Sequence, residues 1–305
     1  MSVISIIGAG SVGSTIAYTL VTSKVCSKLL LVDVVTERAQ AEVGMIDYNE
    51  TNDFDTVVEA GSFKKAGQSD IIVITAGAKQ KEGETRLDLV GRNTGILNGV
   101  FNDMAPLNPK AVVIIVANPC DILTYIAQEI SGLPRKQVFG SGTFLDTQRL
   151  RAYLSSTLNI TESSIHAYVM GEHGDSQFTA WSAGTIGNCH IDSILPKDFN
   201  KQQCEDYVKN KAYKIIKNKG ATYYGISACV KSLCSSVLFD SRHVCMISHY
   251  IPHLNVCVSL PCVLGKNGVE LTLTPHLNEK ENASLLGSAS AMRNTLDSYR
   301  TKHDI

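Results

Sequence analysis

Short apolar runs alternate with longer stretches of helical spacing through the first half of the chain. The runs show no alternation of polar and apolar residues, which is typical of strands buried on both faces. Strands that alternate with helices pair in parallel through right-handed crossovers, so this half predicts a doubly wound α/β sheet. The predicted strands are Val3–Ile7, Leu29–Val32, Ile71–Thr75, Val112–Val116 and Gln137–Phe139, and the predicted helices are Val12–Leu20, Glu37–Asp47, Arg86–Met104 and Asp121–Ser131.

The pattern changes after about residue 145 to long amphipathic stretches and alternating strands. Asn267 and Gly268, between two alternating runs, carry the Asn-Gly signal of a hairpin turn. We therefore predict a doubly wound parallel-sheet domain over residues 1–143 and a mixed α+β domain over residues 144–305. The amphipathic stretches are Gln203–Phe239 and Asn282–Arg300, and the alternating runs are Val244–His249, Asn255–Val263 and Val269–Thr274.

The composition fits a globular chain with no strongly charged partner. At 305 residues with 44% hydrophobic residues, the chain can fill two cores. Its 28 basic and 29 acidic residues form no block of like charge, which argues against a nucleic acid or a charged membrane surface as partner. No apolar run reaches the roughly 20 residues of a membrane span, and no basic leader precedes Val3. We expect a chain that is neither secreted nor bound to a membrane.

Nine cysteines indicate a reducing compartment. Their number is odd, no Cys-x-x-Cys pair occurs, and several, such as Cys229, Cys234 and Cys257, lie within apolar runs. The expected role is that of reduced core thiols, which implies a cytosolic location and no metal site.

A glycine-rich turn follows the first predicted strand and opens a helix. Gly8, Gly10 and Gly13 have the Gly-x-Gly-x-x-Gly spacing, and Asp33 ends the second strand about 20 residues further on. The glycines allow the backbone to approach a pyrophosphate, and Asp33 can accept hydrogen bonds from ribose hydroxyls. A 2′-phosphate would meet the Asp33 carboxylate, and no arginine follows before Arg38, so we predict NAD as cofactor. We assign Gly8, Gly10, Val12, Gly13 and Asp33 to the NAD site of a Rossmann domain.

Four further motifs lie at predicted strand ends or in the second domain. They are Gln80–Arg86, Asn118–Asp121, Leu145–Arg149 and Gly171–Asp175. Together with the glycine fingerprint, and in this order, they resemble the L-lactate and L-malate dehydrogenase family over essentially the whole chain.

The resemblance implies a role for each group that reduction of a 2-oxoacid requires. His173 corresponds to the acid/base, whose usual pKa near 6.5 suits proton exchange, and Asp146 to its partner carboxylate. Arg149 corresponds to the bidentate clamp of the substrate carboxylate, and Arg86 to the mobile-loop arginine that polarises the carbonyl. Asn118 corresponds to a residue that contacts both substrate and cofactor. Alternatively, Asp146 and Arg149 form a plain helix ion pair, and Arg86 is a solvated charge.

Three residues bear on the substrate side chain and the nicotinamide. Thr222 corresponds to a family position that lines the pocket around the substrate side chain, and Ile226 to an apolar residue that contacts the nicotinamide. Either residue could instead serve only in ordinary packing. Gln80 corresponds to the position where malate dehydrogenases carry arginine and lactate dehydrogenases carry glutamine. An unpaired second carboxylate sealed in the site is costly, so Gln80 implies the pyruvate/L-lactate pair as substrates. A malate or branched 2-hydroxyacid specificity stays open, because Glu82 and Cys120 depart from the usual family pattern.

Regulation and assembly also follow from the resemblance. Arg151 and His166 match an effector site for fructose 1,6-bisphosphate on a two-fold axis of bacterial relatives, although they could be an exposed helix charge and a loop histidine. The first strand begins almost at residue 1, without the N-terminal arm of vertebrate tetramers, so we expect a dimer or a tetramer. Two non-catalytic interpretations, a recruited structural protein and an NAD sensor, are disfavoured because His173, Arg149 and Asp146 are all present.

Overall fold

The first half of the chain folds as its apolar runs predict. A computed structural model describes residues 2–46, 55–79 and 83–303. Each of the five predicted strands is present, and one further short strand, β3, follows α2. The strands are β1 (Val3–Ile7), β2 (Lys28–Val32), β3 (Val57–Ala60), β4 (Ile71–Ile74), β5 (Val112–Ile115) and β6 (Val138–Gly140), and the helices are α1 (Ser11–Thr22), α2 (Thr36–Ile46), α3 (Phe63–Ala66), α4 (Arg86–Met104) and α5 (Cys120–Ile130).

All six strands run parallel in the order β3-β2-β1-β4-β5-β6. This is the doubly wound order of a Rossmann domain, in which the strand order reverses between β1 and β4. Ligands of such sheets bind at the carboxyl ends of the strands beside that reversal. Gly8, Asp33 and Thr75 follow β1, β2 and β4 there, so the predicted dinucleotide residues share one edge.

The second half combines helices with antiparallel strands. Its helices are α6 (Phe144–Leu158), α7 (Lys201–Lys219), α8 (Tyr224–Leu238) and α9 (Glu279–His303). Its strands are β7 (Ile165–His166), β8 (Val169–Met170), β9 (Phe178–Thr179), β10 (Thr185–Ile186), β11 (Cys189–His190), β12 (His243–Ile251), β13 (Val256–Gly265) and β14 (Gly268–Thr272). The five shortest form two small sheets, β11-β10-β7 and β8-β9.

The three long strands β12, β13 and β14 extend the central sheet. Ser248 of β12 pairs antiparallel with Gly140 of β6, which gives nine strands in the order β14-β13-β12-β6-β5-β4-β1-β2-β3. The hairpin at Asn267 is confirmed, because Gly265 pairs with Gly268. The central sheet therefore continues past residue 143, although α6 begins at the predicted boundary.

The predicted amphipathic stretch 203–239 contains two helices. Gly220 ends α7 with a left-handed φ of 82°, and its N–H donates to the Ile216 carbonyl, which is a typical glycine C-cap. The break leaves a short segment that contains Thr222 between α7 and α8.

Two hydrophobic clusters cover opposite faces of the sheet. Ile72 and Ile74 of β4 belong to one cluster, whereas Ile71 and Val73 belong to the other, as the two-residue period of a strand requires. All nine cysteines are free, and eight of them are buried; Cys189 is exposed. Within the described residues, no helix is long and apolar enough to cross a membrane.

Candidate active site

The glycine turn lies between β1 and α1 under tight steric limits. Gly8 has a φ of +106°, and a Cβ at Gly13 would lie 1.8 Å from the Gly8 carbonyl oxygen. A Cβ at Gly10 would meet nothing within 4 Å, so the backbone there faces open space. Gly10 is the N-cap of α1 and makes no side-chain capping bond. The turn therefore presents helix N–H groups to the cleft, where an anion can bind.

Asp33 lies at the carboxyl end of β2, at the rim of the same cleft. Its Oδ2 accepts from the Ala9 N–H at 2.8 Å, and its Oδ1 accepts from the Val35 N–H at 2.9 Å. These bonds fix the carboxylate and leave lone pairs for ribose hydroxyls. Arg38 Nη1 lies 4.0 Å from Oδ2, so the arginine that the sequence separates from Asp33 does reach this carboxylate.

The cleft has room for a nucleotide. Its cavity of about 460 Å³ lies in the ordinary range of ligand sites and is lined by backbone of the glycine turn, by Asp33, and by apolar side chains such as Phe63, Ile96 and Val100. A largely apolar wall with the fixed Asp33 carboxylate suits an adenosine group, and Arg38 and Asp103 also line the cavity. The residues therefore fit NAD, the predicted cofactor.

His173, Asp146 and Arg149 form one hydrogen-bonded group. His173 Nδ1 lies 2.7 Å from Asp146 Oδ2, and Arg149 Nη1 donates to Asp146 Oδ1 at 3.0 Å. Asp146 and Arg149 lie one turn apart on α6, where the (i, i+3) spacing places them on one face. The Asp146 side chain is 3% exposed, whereas the His173 ring keeps 31% of its area accessible. A buried carboxylate thus holds a histidine that a substrate can reach.

Burial and charge oppose each other in this group. Burial lowers the pKa of His173, but the carboxylates of Asp146 and Asp121 outweigh burial, so its pKa lies above the usual value. Burial raises the pKa of Asp146, but the cations of His173 and Arg149 outweigh it, so that pKa lies below the usual value. The pair therefore favours a carboxylate beside an imidazolium.

A second buried carboxyl group holds the histidine backbone. Asp121 Oδ2 accepts from the His173 N–H at 2.8 Å. Its Oδ1 has no hydrogen-bond partner among the described residues, and burial raises the pKa of Asp121. Asp121 lies within the Asn118–Asp121 motif, but the sequence alone predicts no role for it.

The Gly-Glu-His-Gly motif has a steric explanation. Gly171 has a left-handed φ of +87°, and a Cβ there would lie 2.6 Å from Ser288 Oγ on α9. A Cβ at Gly174 would lie 3.0 Å from Glu172 Oε1. The two glycines thus allow Glu172 to be buried in the turn that presents His173.

Arg86 is the first residue of α4 and contacts the same turn. Thr85 caps the helix in a capping box with Asp88, and Arg86 Nη2 donates to Glu172 Oε1. Arg86 therefore contacts the residue that precedes His173 in the chain, and its action on the substrate stays a prediction. Gln80 and Glu82, in the preceding loop, lie outside the described residues.

Asn118, Thr222 and Ile226 lie at the end of β5, just before α8 and within the first turn of α8. The Asn118 carbonyl accepts from Asn93 Nδ2 at 2.6 Å, and its side chain is exposed at the end of β5. Thr222 precedes α8, whose first turn packs closely on Leu145, since a Cβ at Gly225 would lie 3.0 Å from that side chain. Ile226 packs with Val12 against one core cluster. No described contact joins Thr222 to His173.

Arg151 and His166 lie on neighbouring elements without contacting each other. Arg151 Nε donates to the Ala167 carbonyl at 3.2 Å, and its guanidinium lies 5.0 Å from the Tyr168 ring centre. Burial lowers the pKa of Arg151, whereas His166 is exposed on β7. Arg151 therefore makes contacts with Ala167 and Tyr168 that a fully exposed helix charge would not make. No group of three or more potential metal ligands occurs within the described ranges.

Comparisons with known proteins cover nearly the whole chain. The family model for the lactate/malate dehydrogenase NAD-binding domain matches residues 2–140, and that for the α/β C-terminal domain matches residues 143–302. L-lactate dehydrogenase A of Rhizopus oryzae is 42% identical over 96% of this chain and 91% of that protein. L-lactate dehydrogenase of Acetivibrio thermocellus is 37% identical over 95% of each.

Solved structures give the same result for the fold. A lactate dehydrogenase from a Medee basin deep-sea metagenome library superposes with a TM-score of 0.93 at 34% identity, over 98% of both chains. The minor L-lactate dehydrogenase of Enterococcus mundtii superposes with a TM-score of 0.93 at 32% identity, over 97% of this chain and 98% of that one. With this fold, an NAD cleft and the His173 group, the chain belongs to the lactate/malate dehydrogenase family.

Proposed function

We propose that the chain is an NAD-dependent L-lactate dehydrogenase that interconverts pyruvate and L-lactate. The observation that carries the proposal is the group of His173, buried Asp146 and Arg149 in a chain whose strands end at a dinucleotide cleft. Such a group supplies a proton donor and a carboxylate clamp together. The L-lactate dehydrogenase names of the relatives support lactate among the possible hydroxyacids.

His173 acts as the acid in pyruvate reduction. Its Nδ1 is held by Asp146, which leaves Nε2 to donate a proton to the carbonyl oxygen as that oxygen becomes an alkoxide. The reduced dinucleotide, when bound, supplies the hydride. The raised pKa keeps the imidazolium populated near neutral pH, and in lactate oxidation the neutral imidazole accepts the proton.

Arg149 and Arg86 orient and polarise the substrate. Asp146 occupies one nitrogen of the buried Arg149 guanidinium and leaves the other N–H groups for the substrate carboxylate. Arg86 directs its charge to the carbonyl oxygen, where negative charge grows in the transition state. The exposed Asn118 side chain serves as an additional hydrogen-bond donor to the substrate.

Gln80 and Thr222 face the substrate methyl group in this proposal. Neither side chain carries a charge that could pair with a second substrate carboxylate, so a dianion such as oxaloacetate is disfavoured by its desolvation. The selection of pyruvate by Gln80 stays a prediction, since that residue lies outside the described ranges.

We further propose that fructose 1,6-bisphosphate activates the enzyme at Arg151 and His166. The effector phosphates would pair with both residues from two subunits across a two-fold axis, in a homodimer or homotetramer. Nine free cysteines support a cytosolic location, where the reaction would serve glycolytic fermentation.

A substrate panel tests the proposed activity. Purified protein is assayed for NADH oxidation with pyruvate, oxaloacetate and 2-oxoisocaproate, and the product is resolved into L- and D-lactate. We expect pyruvate to have the highest kcat/KM and the product to be L-lactate. A preference for oxaloacetate or for the branched acid would overturn the assignment. A parallel assay with NADPH in place of NADH tests whether Asp33 excludes the 2′-phosphate despite Arg38.

A further inference from the structure

Glu172 is a buried carboxylate that lies directly beside the proposed acid/base residue. Its side chain is 2% exposed. Ser176 Oγ donates to Oε2, and the Glu172 backbone N–H donates to Ser288 Oγ at 2.9 Å. Ser288 Oγ also donates to the Ser176 carbonyl at 2.9 Å. Ser176 thus fixes Oε2 of the carboxylate and Ser288 of α9 holds the Glu172 backbone, while Oε1 is left for a charged partner.

That partner is Arg86. Its Nη2 donates to Glu172 Oε1, and within the described residues the guanidinium makes no other hydrogen bond or ion pair. The Arg86 side chain is 46% exposed, so one end of the pair is fixed in the protein and the other is near solvent. One guanidinium nitrogen is occupied, which leaves the remaining N–H groups free to act on a substrate.

The energetics favour a lasting contact. A buried carboxylate without a cation is costly, whereas an exposed arginine loses side-chain entropy when it is fixed in one place. Because the two serines already fix Glu172, formation of the pair reduces only the side-chain entropy of Arg86. Glu172 can therefore set the position of the guanidinium relative to His173, the next residue in the chain.

We infer that Glu172 is a positioning residue for Arg86. It holds the Arg86 guanidinium beside the turn that carries His173, so that the polarising charge is in place when the substrate binds. This inference rests on the proposed function, because it assigns Glu172 a role only through the action of Arg86 on the substrate. Glu172 itself does not contact the reacting atoms.

A double-mutant cycle tests the functional part. Glu172→Gln keeps the volume and one oxygen acceptor but removes the charge, and we expect it to lower kcat for pyruvate about 10- to 100-fold while KM changes much less. Arg86→Gln should lower kcat by about 10²–10³-fold. If Glu172 acts through Arg86, adding Glu172→Gln to Arg86→Gln should change kcat less than about twofold. Multiplicative losses would overturn the inference, since they would mean that Glu172 acts by another route.

Glu281→Gln is the matched control. Glu281 is also a buried glutamate held by main-chain and serine donors, from Ser182 and Asn278, and no arginine or lysine pairs with it among the described residues. We expect this variant to keep kcat within about twofold of the unaltered protein. An equal loss in Glu281→Gln and Glu172→Gln would assign the effect to general damage and would overturn the inference.

Arginine labelling tests the pair without using turnover. Phenylglyoxal modification of Arg86, followed by peptide mass spectrometry, should be several-fold faster in Glu172→Gln than in the unaltered protein. Arg92 on the same helix, which donates to the Lys79 carbonyl and pairs with Glu84, should label at an unchanged rate. Equal Arg86 labelling would contradict the pairing. A protein that shows the labelling difference but does not reduce pyruvate would refute the proposed function and, with it, the role of Glu172 in turnover.

Discussion

Replacement of Asp146 by asparagine should both slow pyruvate reduction and shift its pH dependence. Asp146 is 3% exposed and contacts two cationic groups, His173 at 2.7 Å and Arg149 at 3.0 Å. Asparagine has the same shape but no charge, and its amide nitrogen cannot accept from either group. The substitution therefore removes the acceptor from one of the two interactions and the negative charge from both, while it leaves the packing of α6 largely intact.

The expected size follows from those two contacts. A hydrogen bond to a charged group contributes about 1.5–3 kcal/mol, so the loss of the His173 contact alone corresponds to a decrease in kcat of about 10- to 150-fold. The loss of charge beside Arg149 adds to this, because it weakens the contact that orients the clamp. NADH binding should be nearly unchanged, since Asp146 contacts no residue of the glycine turn.

The pH profile gives the sharper result. Burial lowers the pKa of His173, and the Asp146 carboxylate raises it above the usual value near 6.5. Pyruvate reduction needs the imidazolium, so the rate falls as pH rises through this raised pKa. Without the carboxylate the effect of burial dominates, so the pKa of His173 falls and the decrease in rate should begin at a lower pH. Lactate oxidation needs the neutral imidazole, and its rising limb should move to lower pH in the same variant.

The measurement is kcat for both directions from about pH 5.5 to about pH 9, for the unaltered protein and for Asp146→Asn. Asp175→Asn is the control, because Asp175 lies two residues from His173 but is exposed and pairs with Lys209. Unchanged kcat together with an unchanged pH profile in Asp146→Asn would refute the role of this carboxylate. Equal shifts in the Asp175 variant would indicate a general effect of surface charge.

Three further predictions concern specificity, regulation and stability. Gln80→Arg should raise kcat/KM for oxaloacetate and lower it for pyruvate, measured by NADH oxidation; an unchanged ratio would remove Gln80 from the specificity site. Millimolar fructose 1,6-bisphosphate should lower the KM for pyruvate more at about pH 6 than at about pH 8, and Arg151→Gln should abolish this decrease in KM. An unchanged KM at both pH values would refute the regulatory proposal. His249 contacts the Ile247 carbonyl and Thr272 Oγ1, and burial lowers its pKa. As pH falls, His249 is therefore protonated in the unfolded chain before it is protonated in the folded protein. The free energy of unfolding should decrease as pH falls below about 6.5. His249→Gln should flatten that decrease in denaturant titrations, and an equal slope would refute it.

The sequence predicted those features that depend on local pattern. The buried strands, the glycine turn and the hairpin at Asn267 each depend on residues that are close in the chain. The missed strand β3 is only four residues long and includes Glu59 and Ala60, so its pairing with β2 rather than its own pattern defines it. The break at Gly220 was missed because the residues on either side have continuous helical spacing.

The site was predictable where a motif carries its own chemistry. His173, Asp146 and Arg149 do come together, although Asp146 and His173 are 27 residues apart. The pairing of Arg86 with Glu172 joins residues 86 positions apart, and only the fold can bring them together. Glu172 and Asp121 both lie within motifs whose predicted roles belong to neighbouring residues. The presence of a carboxylate in each motif was the signal that could have identified them. The sequence also failed to predict that Arg38 reaches Asp33. The chain turns after β2 and brings the Arg38 guanidinium to this carboxylate despite the intervening residues.

A single-turnover experiment tests the central claim that His173 protonates the substrate oxygen while hydride is transferred from NADH. The unaltered protein and the His173→Gln variant are each loaded with NADH and mixed with pyruvate, and NADH binding is measured separately by fluorescence. We predict equal NADH affinity, hydride transfer that is at least about 10²–10⁴-fold slower in the variant, and L-lactate as the product of the unaltered protein. Hydride transfer at a normal rate in His173→Gln would contradict the account.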